Sequence, residues 1–509
     1  MITYCAPEGI RSEIFHHHIY LSTASGGKIA LDNYVHMIWQ MANGKSMEDI
    51  LSRTCHSEVG SNQILATLAC LVEAGLLSRK NDQPPNKIRE NEQAQTATPK
   101  EHQKTVSAII VSHKSLSWLE KCLTSLLAQN YPPLEIIMVD NASQDGCIEW
   151  IKETFPSIKL LPLDEIHTLA AALNLGIAMA QGEFFLVLNP DVELEPDALG
   201  NMIEVIEKSP SCAAVAAKMM LRWAPAFLNG LGNVVGNLSW GTDNALGHLD
   251  LGQFDSWNEV PSACFAAALI PCTIYKEVGE FDEEFPLYYE DSEWCYRARL
   301  LGYSVHAAPK AIIFHAYNEK FPGIRAKEIS PTKLRYVCYG RLRFATKLLG
   351  WKRLIQFISC YFIEDILRIG VAIVQGQWIT AITFIEAWID YSKSLPDLRA
   401  KRGQIQRSRK CSDKDIFKLQ RSLPMPLVWD GFPCLTWDNI SGYYLPLIIT
   451  KETHQLPEMS EVTFPDSASP TIIGNFPIWN RSKLILRYEG FNSLVYWMRK
   501  RLQWRLMLA

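Results

Sequence analysis

Residues 106–111 read VSAIIV, an uncharged apolar run of the kind found in strands that are buried on both faces. A helical pattern follows at residues 116–129, and a second strand pattern occupies residues 134–139. Short apolar runs of this kind continue to alternate with helical patterns up to about residue 330. This alternation predicts βαβ units, and therefore an α/β fold whose mostly parallel sheet is flanked by helices.

The rest of the chain divides around this unit. Residues before the α/β unit carry helical patterns and then a stretch rich in Asn, Gln, Pro, Lys and Glu, which is typical of a linker. The residues after it carry basic amphipathic patterns and then many Pro and aromatic residues. The predicted division is a small helical, winged-helix-like domain at 1–80, a linker at 81–104, the α/β domain at 105–330, basic amphipathic helices at 331–423, and a region of unclear fold at 424–509.

Composition excludes several classes of protein. The 509 residues are 48% hydrophobic and 20% charged, as in a chain that folds around a core. The net charge of −4 gives no global cationic field, so no nucleic-acid partner is expected. The 13 cysteines contain no Cys-x-x-Cys pair, and no signal peptide is apparent, which favours a cytoplasmic protein. The uncharged stretch at 369–385 is interpreted as a buried or interfacial helix rather than a membrane span.

Polar side chains follow the first two predicted strands. Ser112 comes directly after the first strand, and Asp140 and Asn141 come after the second. Ligands of open parallel sheets bind beyond the carboxyl ends of the strands, so these residues are candidates for nucleotide binding. A carboxylate at Asp140 would suit the imide N–H of uracil or thymine. The alternative is that Asp140 and Asn141 only cap a helix or form a turn.

A third predicted strand, residues 183–188, ends in Asn189, Pro190 and Asp191. Proline stops the strand and helps to present Asp191 at its end. Carboxylate oxygen is a ligand that Mg²⁺ and Mn²⁺ prefer, and such an ion would bridge the diphosphate of a nucleotide donor. The sequence therefore predicts Asp191 as a metal ligand.

Five carboxylates lie within residues 281–291, framed by aromatic side chains and followed by a helical pattern. A charged helix face explains Glu293 and Arg297, which are spaced i,i+4, but it explains Glu290 and Asp291 poorly. Desolvation and a neighbouring carboxylate would raise a pKa here towards that of a useful base. A further strand pattern ends at His315, which is either a core residue or part of the metal site.

Taken together, these motifs resemble the inverting family 2 glycosyltransferases of the GT-A fold, especially the rhamnosyltransferase-like branch. The residues that carry the resemblance are IIVS at 109–112, VDNASQDG at 139–146, Asn174 within 171–176, LNPD at 188–191, YED at 289–291, Arg297 and His315. The resemblance implies that Asp140 binds the base, together with Ser112, Asn141 and Asn174 in the nucleotide site. It further implies Asp191 and His315 as metal ligands for Mg²⁺ or Mn²⁺, and Asp291, with Glu290 beside it, as the general base.

The function implied is metal-dependent transfer of a sugar, with inversion, from a UDP or dTDP sugar to a hydroxyl of a polysaccharide or lipid-linked glycan. Two alternatives stay open. Residues 1–80 resemble the PqqD-like winged-helix domains that bind leader peptides, which would suit a peptide-modifying glycosyltransferase. Residues 166–170 read IHTLA where the family often has Asn-x-Gly-Phe-Ala, which would suit a catalytically degenerate scaffold.

Two basic patterns suggest peripheral membrane contact. Arg341, Arg343, Lys347, Lys352 and Arg353 are interleaved with large apolar residues, and residues 494–506 repeat the theme. Such helices can lie in an anionic membrane interface. The alternative in both cases is ordinary helix packing with a solvated cationic face.

Overall fold

The computed structural model describes residues 3–15, 18–23, 27–54, 61–80, 104–131, 134–236, 241–317, 330–419, 428–429 and 432–448. Nearly all of the predicted linker at 81–104 lies outside the described residues, as does the basic pattern at 494–506.

The N-terminal residues form a small α/β unit. Its elements are β1 (Thr3–Cys5), β2 (Arg11–Phe15), β3 (His18–Ser22), β4 (Lys28–Leu31), α1 (Asn33–Ala42), β5 (Lys45–Ser46), α2 (Met47–Thr54), α3 (Ser61–Glu73) and β6 (Ser78–Arg79). The three helices agree with the helical patterns of this part of the sequence, and Asp32 caps α1 by accepting a 2.8 Å hydrogen bond from the Val35 N–H. The six short strands are additional, since their few residues each give no clear periodicity.

The central domain is built on a nine-stranded sheet. Its strands are β7 (Val106–Ser112), β8 (Leu134–Asn141), β9 (Lys159–Leu163), β10 (Phe184–Leu188), β11 (Val192–Leu194), β12 (Cys212–Leu221), β13 (Ala224–Leu231), β16 (Ala267–Pro271) and β17 (Ser304–His315), and a separate hairpin consists of β14 (Asn233–Val235) and β15 (Gly241–Asp243). The strand order is β11-β17-β12-β16-β10-β7-β8-β9, with β13 paired to β12. The pairs β9–β8, β8–β7, β7–β10 and β12–β17 are parallel, and β16 is antiparallel to both of its neighbours.

Helices cover both faces of this sheet, which confirms the predicted fold class. They are α4 (Leu116–Leu127), α5 (Cys147–Thr154), α6 (Leu169–Ala178), α7 (Ala198–Glu207), α8 (Cys272–Val278) and α9 (Glu290–Leu300). All seven residues of β7 are buried, with Ile109 in one apolar core and Ile110 in the other. Gly176 allows α6 to lie close to the sheet, because a Cβ there would be 2.7 Å from the Ile109 Cγ2 atom.

Three long helices and one short helix follow the central domain: α10 (Pro331–Leu348), α11 (Trp351–Val374), α12 (Trp378–Ser408) and the short α13 (Asp413–Phe417). The predicted membrane-facing role of the α10 cations is wrong, because Arg341, Arg343 and Lys347 are buried. They pair with acidic residues that are distant in sequence, including Asp365 and Asp282. None of the described helices is both long enough and apolar enough to cross a bilayer.

The chain then returns to the N-terminal unit. It forms β18 (Val428–Trp429), β19 (Phe432–Leu435), α14 (Trp437–Asn439) and a π-helical turn (Ile440–Tyr444). β19 pairs in parallel with β4, and the Trp437 N–H donates to Asp32 Oδ2 at 2.6 Å. The sequence left this part of residues 424–509 without a predicted fold, and the structure shows that residues 432–448 complete the N-terminal unit.

Candidate functional site

The register of the central sheet brings the predicted site residues to one edge. Ser112, at the end of β7, pairs with Asp140 near the end of β8. The last residue of β10 pairs with Ile110 on one side and with Ala267 on the other. His315, at the end of β17, pairs with Leu221 at the end of β12. These strand ends form the carboxyl edge of the parallel strands, where open α/β sheets bind ligands.

Asp191 and His315 lie together at this edge. The His315 Nε2 atom is 3.3 Å from Asp191 Oδ1, and the Ala316 N–H donates to the Asp191 carbonyl oxygen at 3.0 Å. The other ring nitrogen of His315 lies 2.5 Å from Asn229 Oδ1. Because this amide oxygen can only accept, Nδ1 carries a proton and Nε2 faces Asp191. Burial would raise the pKa of Asp191, but the hydrogen bond and charge of His315 outweigh it and hold the pKa below its usual range.

Glu290 and Asp291 begin α9 and are both buried. Asp291 accepts hydrogen bonds from the Ser292 N–H at 2.5 Å and from Asn233 Nδ2 at 2.6 Å, so its carboxyl group has a fixed orientation. Burial raises the pKa of Asp291 to about 6, although these donors oppose the rise. Burial, and then the charge of Asp291, raises the pKa of Glu290 to about 8. Glu290 Oε2 is buried without a hydrogen-bond partner among the described residues.

Asp243 is a further buried carboxyl group at this site, and the sequence analysis did not identify it. It ends β15, and burial raises its pKa to about 6. His315 lowers and Asp291 raises the pKa of Asp243, so it lies within electrostatic reach of both. Burial and the charges of Asp291 and Asp243 also raise the pKa of the Cys264 thiol, so both carboxyl groups lie within electrostatic reach of Cys264. No motif surrounds residue 243, and only the folded hairpin brings it to the site.

Ser112, Asp140 and Asn141 lie farther along the same edge. Asp140 is buried, and its carboxylate accepts from the Ser143 N–H at 3.4 Å and from Cys147 Sγ at 3.2 Å. This is the turn-forming role that the sequence left open as an alternative. The Asn141 side chain donates to the His167 carbonyl oxygen at 2.9 Å and accepts from the His167 N–H at 2.8 Å. By contrast, Ser112 Oγ is buried without a partner among the described residues.

Asn174 was predicted to lie in the nucleotide site, but its side-chain amide is hydrogen-bonded to other parts of the protein. Its amide nitrogen donates to the Phe281 carbonyl oxygen at 3.0 Å and to Glu283 Oε1 at 2.9 Å. Its amide oxygen accepts from the Tyr275 hydroxyl at 2.8 Å and from the Phe281 N–H at 3.1 Å. These four bonds use the full hydrogen-bonding capacity of an amide side chain. Asn174 therefore braces the segment that leads to Glu290 rather than presenting a free group to a ligand.

The two tyrosines before Glu290 adopt an unusual backbone conformation. Tyr288 and Tyr289 have φ values of 69° and 73°, a region that bulky residues seldom occupy. The Tyr289 hydroxyl accepts from the Gly241 N–H at 2.9 Å, and its ring packs against Gly340 of α10, where a Cβ would lie 2.8 Å from Tyr289 Cδ2. Such strain persists only where the surroundings enforce it, and it is common at active sites.

A metal ion would have few protein ligands at this edge. In the part of the chain that the structure describes, no three His, Cys, Asp or Glu residues are placed to hold an ion together. Asp191 and His315 offer one oxygen and one nitrogen ligand, which suits Mn²⁺ or Mg²⁺ only if further ligands come from a bound molecule or water.

The family follows from comparison with known proteins. Residues 107–276 match the family model for glycosyl transferase family 2. This region is a family 2 glycosyltransferase domain. The predicted resemblance is therefore confirmed for the domain that carries Ser112, Asp140 and Asp191.

Relatives of the glycosyltransferase domain include a polysaccharide synthase and a rhamnosyltransferase. The poly-beta-1,6-N-acetyl-D-glucosamine synthase of Staphylococcus epidermidis is 25% identical over 233 residues, which cover 44% of this chain and 53% of the relative. The N-acetylglucosaminyl-diphospho-decaprenol L-rhamnosyltransferase of Mycobacterium tuberculosis (strain ATCC 25618 / H37Rv) is 23% identical over 232 residues, which cover 41% and 74%. The chain spans about half or less of the length of the first three curated relatives, at 28%, 53% and 53%.

One solved structure similar to this chain is Staphylococcus aureus TarS, residues 1–349, in complex with UDP-GlcNAc. It aligns with a TM-score of 0.39 and 16% identity over 62% of this chain and 89% of that chain.

Proposed function

We propose that the chain transfers a sugar from a nucleotide-diphosphate donor, a UDP or dTDP sugar, to a hydroxyl of a glycan acceptor, with inversion at the anomeric carbon. The observation that carries this proposal is that Asp243 lies within electrostatic reach both of the buried and oriented carboxyl group of Asp291 and of His315, which contacts Asp191. The family 2 domain supports the class of reaction.

Asp291 is the proposed general base. Its carboxyl group is held by Asn233 and Ser292, so it can accept the acceptor hydroxyl proton without reorienting. With a pKa raised to about 6, Asp291 is ionised at neutral pH and still basic enough to take a proton. Glu290, with a pKa of about 8, holds its proton at pH 7. Only one of the two adjacent carboxyl groups then carries a charge in the buried site, which keeps Asp291 available as the anion.

Asp191 and His315 are the proposed ligands of Mg²⁺ or Mn²⁺. When bound, the ion would neutralise charge on the departing diphosphate. The low pKa of Asp191 keeps it ionised as a ligand, and the contact of His315 Nδ1 with Asn229 leaves Nε2 directed at the same place.

The nucleotide would extend from Asp191 towards β8. β10 and β8 are separated by β7, so their ends lie two strand spacings apart, roughly 10 Å. Ser112, whose hydroxyl is buried and unpartnered among the described residues, lies between them and can bind the nucleotide. Asp140 would receive the base, with Asn141 fixing the neighbouring loop through His167.

A screen of UDP and dTDP sugars for release of nucleoside diphosphate, with and without Mn²⁺, tests this function. We expect Mn²⁺-dependent release from at least one donor, and loss of release in Asp291→Asn. Asp438→Asn, which changes an exposed carboxylate of α14, is the matched control and should behave like the native chain. Release that is equal in the native chain and Asp291→Asn would remove Asp291 from the base role.

A further inference from the structure

Helices α11 and α12 form a hairpin whose outward surface is apolar. Thirteen large apolar side chains between residues 355 and 389 are exposed, a number far above the scattered exposed residues of a typical surface. They include Phe362, Ile366 and Val374 on α11, and Trp378, Ile379 and Ile382 on α12. We call this surface the hairpin face. Exposure is greatest near the turn, where Val374 is 88% and Trp378 is 61% exposed.

The turn itself is built to be sharp and uncharged. Residues 375–377 read Gln-Gly-Gln, and Gly376 has a φ of +71°, which lets α11 end and α12 begin within three residues. The exposed residues recur with helical spacing along about five turns of α11, roughly 30 Å, so the hairpin face is one continuous surface.

The charged residues of the hairpin are few and paired, and they range from the buried Asp365 to the half-exposed Glu386. Four lie between residues 355 and 389, and all four form ion pairs. The pairs are Glu364 with Arg341 at 3.4 Å, Glu364 with Arg368 at 3.0 Å, Glu386 with Arg335 at 3.2 Å, and Asp365 with the buried Arg341. The hairpin thus exposes mostly apolar side chains and pairs its few charges, the reverse of an ordinary surface helix.

Two exposed cations lie towards the open end of the hairpin, away from its turn. Lys352 is exposed before its first residue and Lys393 is exposed after its last. Anionic lipid headgroups complement both cations while the acyl region receives the apolar side chains.

We infer that the hairpin face is a docking surface for an anionic lipid bilayer, which it enters from one side without crossing. This inference stands on the surface alone and does not depend on the proposed sugar transfer. It replaces the membrane contact expected of the cations in α10, since those cations are buried.

Vesicle co-sedimentation of the full chain tests this inference. With 30% phosphatidylglycerol in phosphatidylcholine, we expect the native chain to sediment. Ile366→Glu with Ile379→Glu should reduce the partition coefficient by roughly tenfold or more, since each change removes an exposed apolar side chain that would enter the bilayer. Thr154→Glu, at an exposed position at the end of α5, adds one such charge away from the hairpin face and should sediment like the native chain. Lys352→Gln with Lys393→Gln should weaken binding to anionic vesicles by several-fold and leave binding to pure phosphatidylcholine unchanged.

Two further measurements test whether a second copy of the chain, or another segment of the same chain, covers the hairpin face instead of a bilayer. A chain that does not sediment but dimerises in analytical ultracentrifugation, and becomes monomeric with Ile366→Glu and Ile379→Glu, would assign the face to a second copy. A photo-crosslinker at position 366 that joins residues 449–509 of the same chain, again without sedimentation, would assign it to that segment. Either result overturns the inference. Donor binding measured without vesicles stays unaffected by both glutamates, so failure here is distinct from failure of the proposed function.

Discussion

Replacing Asp282 with Asn should strongly destabilise the packing of the C-terminal helices α10 and α12 against the central domain. Asp282 is buried in the segment that leads to Glu290 and binds three cations at once. Arg343 donates to it at 2.8 Å and 3.0 Å, Lys347 at 2.6 Å and Lys401 at 2.7 Å. Asparagine keeps the shape of the side chain and removes the charge, so the substitution isolates the electrostatic contribution.

The expected loss of folding free energy depends on which acidic partners the cations retain after the substitution. Removing one partner of a buried ion pair costs about 3–5 kcal/mol, because a buried charge is left uncompensated. Here Lys347 retains Glu293 at 2.8 Å and Arg343 retains Asp397 at 2.6 Å, which places the expected loss near the lower limit, at about 3 kcal/mol. At roughly 2–4 °C per kcal/mol for a domain of this size, the melting temperature should fall by about 6–12 °C.

Thermal unfolding followed by tryptophan fluorescence measures this change, with Asp397→Asn as the matched control. The Asp397 side chain is 38% exposed and contacts two of the same cations, so its loss should cost about 1 kcal/mol or less. Burial would raise the pKa of Asp282, but Lys347 and Arg343 lower it well below its usual range. The difference between native chain and Asp282→Asn should therefore be full at neutral pH and shrink as the pH falls below about 4. Equal effects of the two variants at pH 7 would refute the buried cluster.

Two other substitutions test the site and its support. Asp291→Asn should lower turnover by about 10²–10⁴-fold while leaving donor binding intact. Because only the ionised carboxyl group is a base, the rise of native activity with pH through about 6 should be absent from this variant. A variant that keeps the same pH profile would contradict the assignment. Gly340→Ala should cost about 1–3 kcal/mol and reduce turnover, because the added Cβ meets the Tyr289 ring at 2.8 Å. Gly403→Ala, where nothing lies within 4 Å, should instead stabilise by about 0.5–1 kcal/mol, and thermal unfolding of both variants separates packing from helix propensity.

The main parallel strands and the polar residues at their ends could be predicted from sequence because both are local. Each apolar run ends next to its own polar residue, and parallel strands align their carboxyl ends automatically. This logic placed Ser112, Asp140, Asp191 and His315 at one edge.

Partners supplied by distant segments could not be predicted. Asp243 reaches the site on the β14–β15 hairpin, which has no recognisable motif. The cations of α10 looked like a solvated or membrane-facing stripe, because Asp282 precedes Arg343 by 61 residues and Asp365 follows Arg341 by 24. For Asn174, the family resemblance implied a place in the nucleotide site, but the sequence did not reveal that Phe281, Glu283 and Tyr275 would use all of its hydrogen bonds.

Titration calorimetry with UDP and dTDP, in the presence and absence of Mn²⁺, tests most directly whether the sheet edge is one nucleotide-diphosphate site. We predict binding of at least one nucleotide that requires Mn²⁺ in the native chain and in Asp291→Asn, and that weakens by about tenfold or more in Asp191→Ala. A chain that binds neither nucleotide, or binds one equally well without Mn²⁺ and after Asp191→Ala, would contradict the account and support a degenerate scaffold.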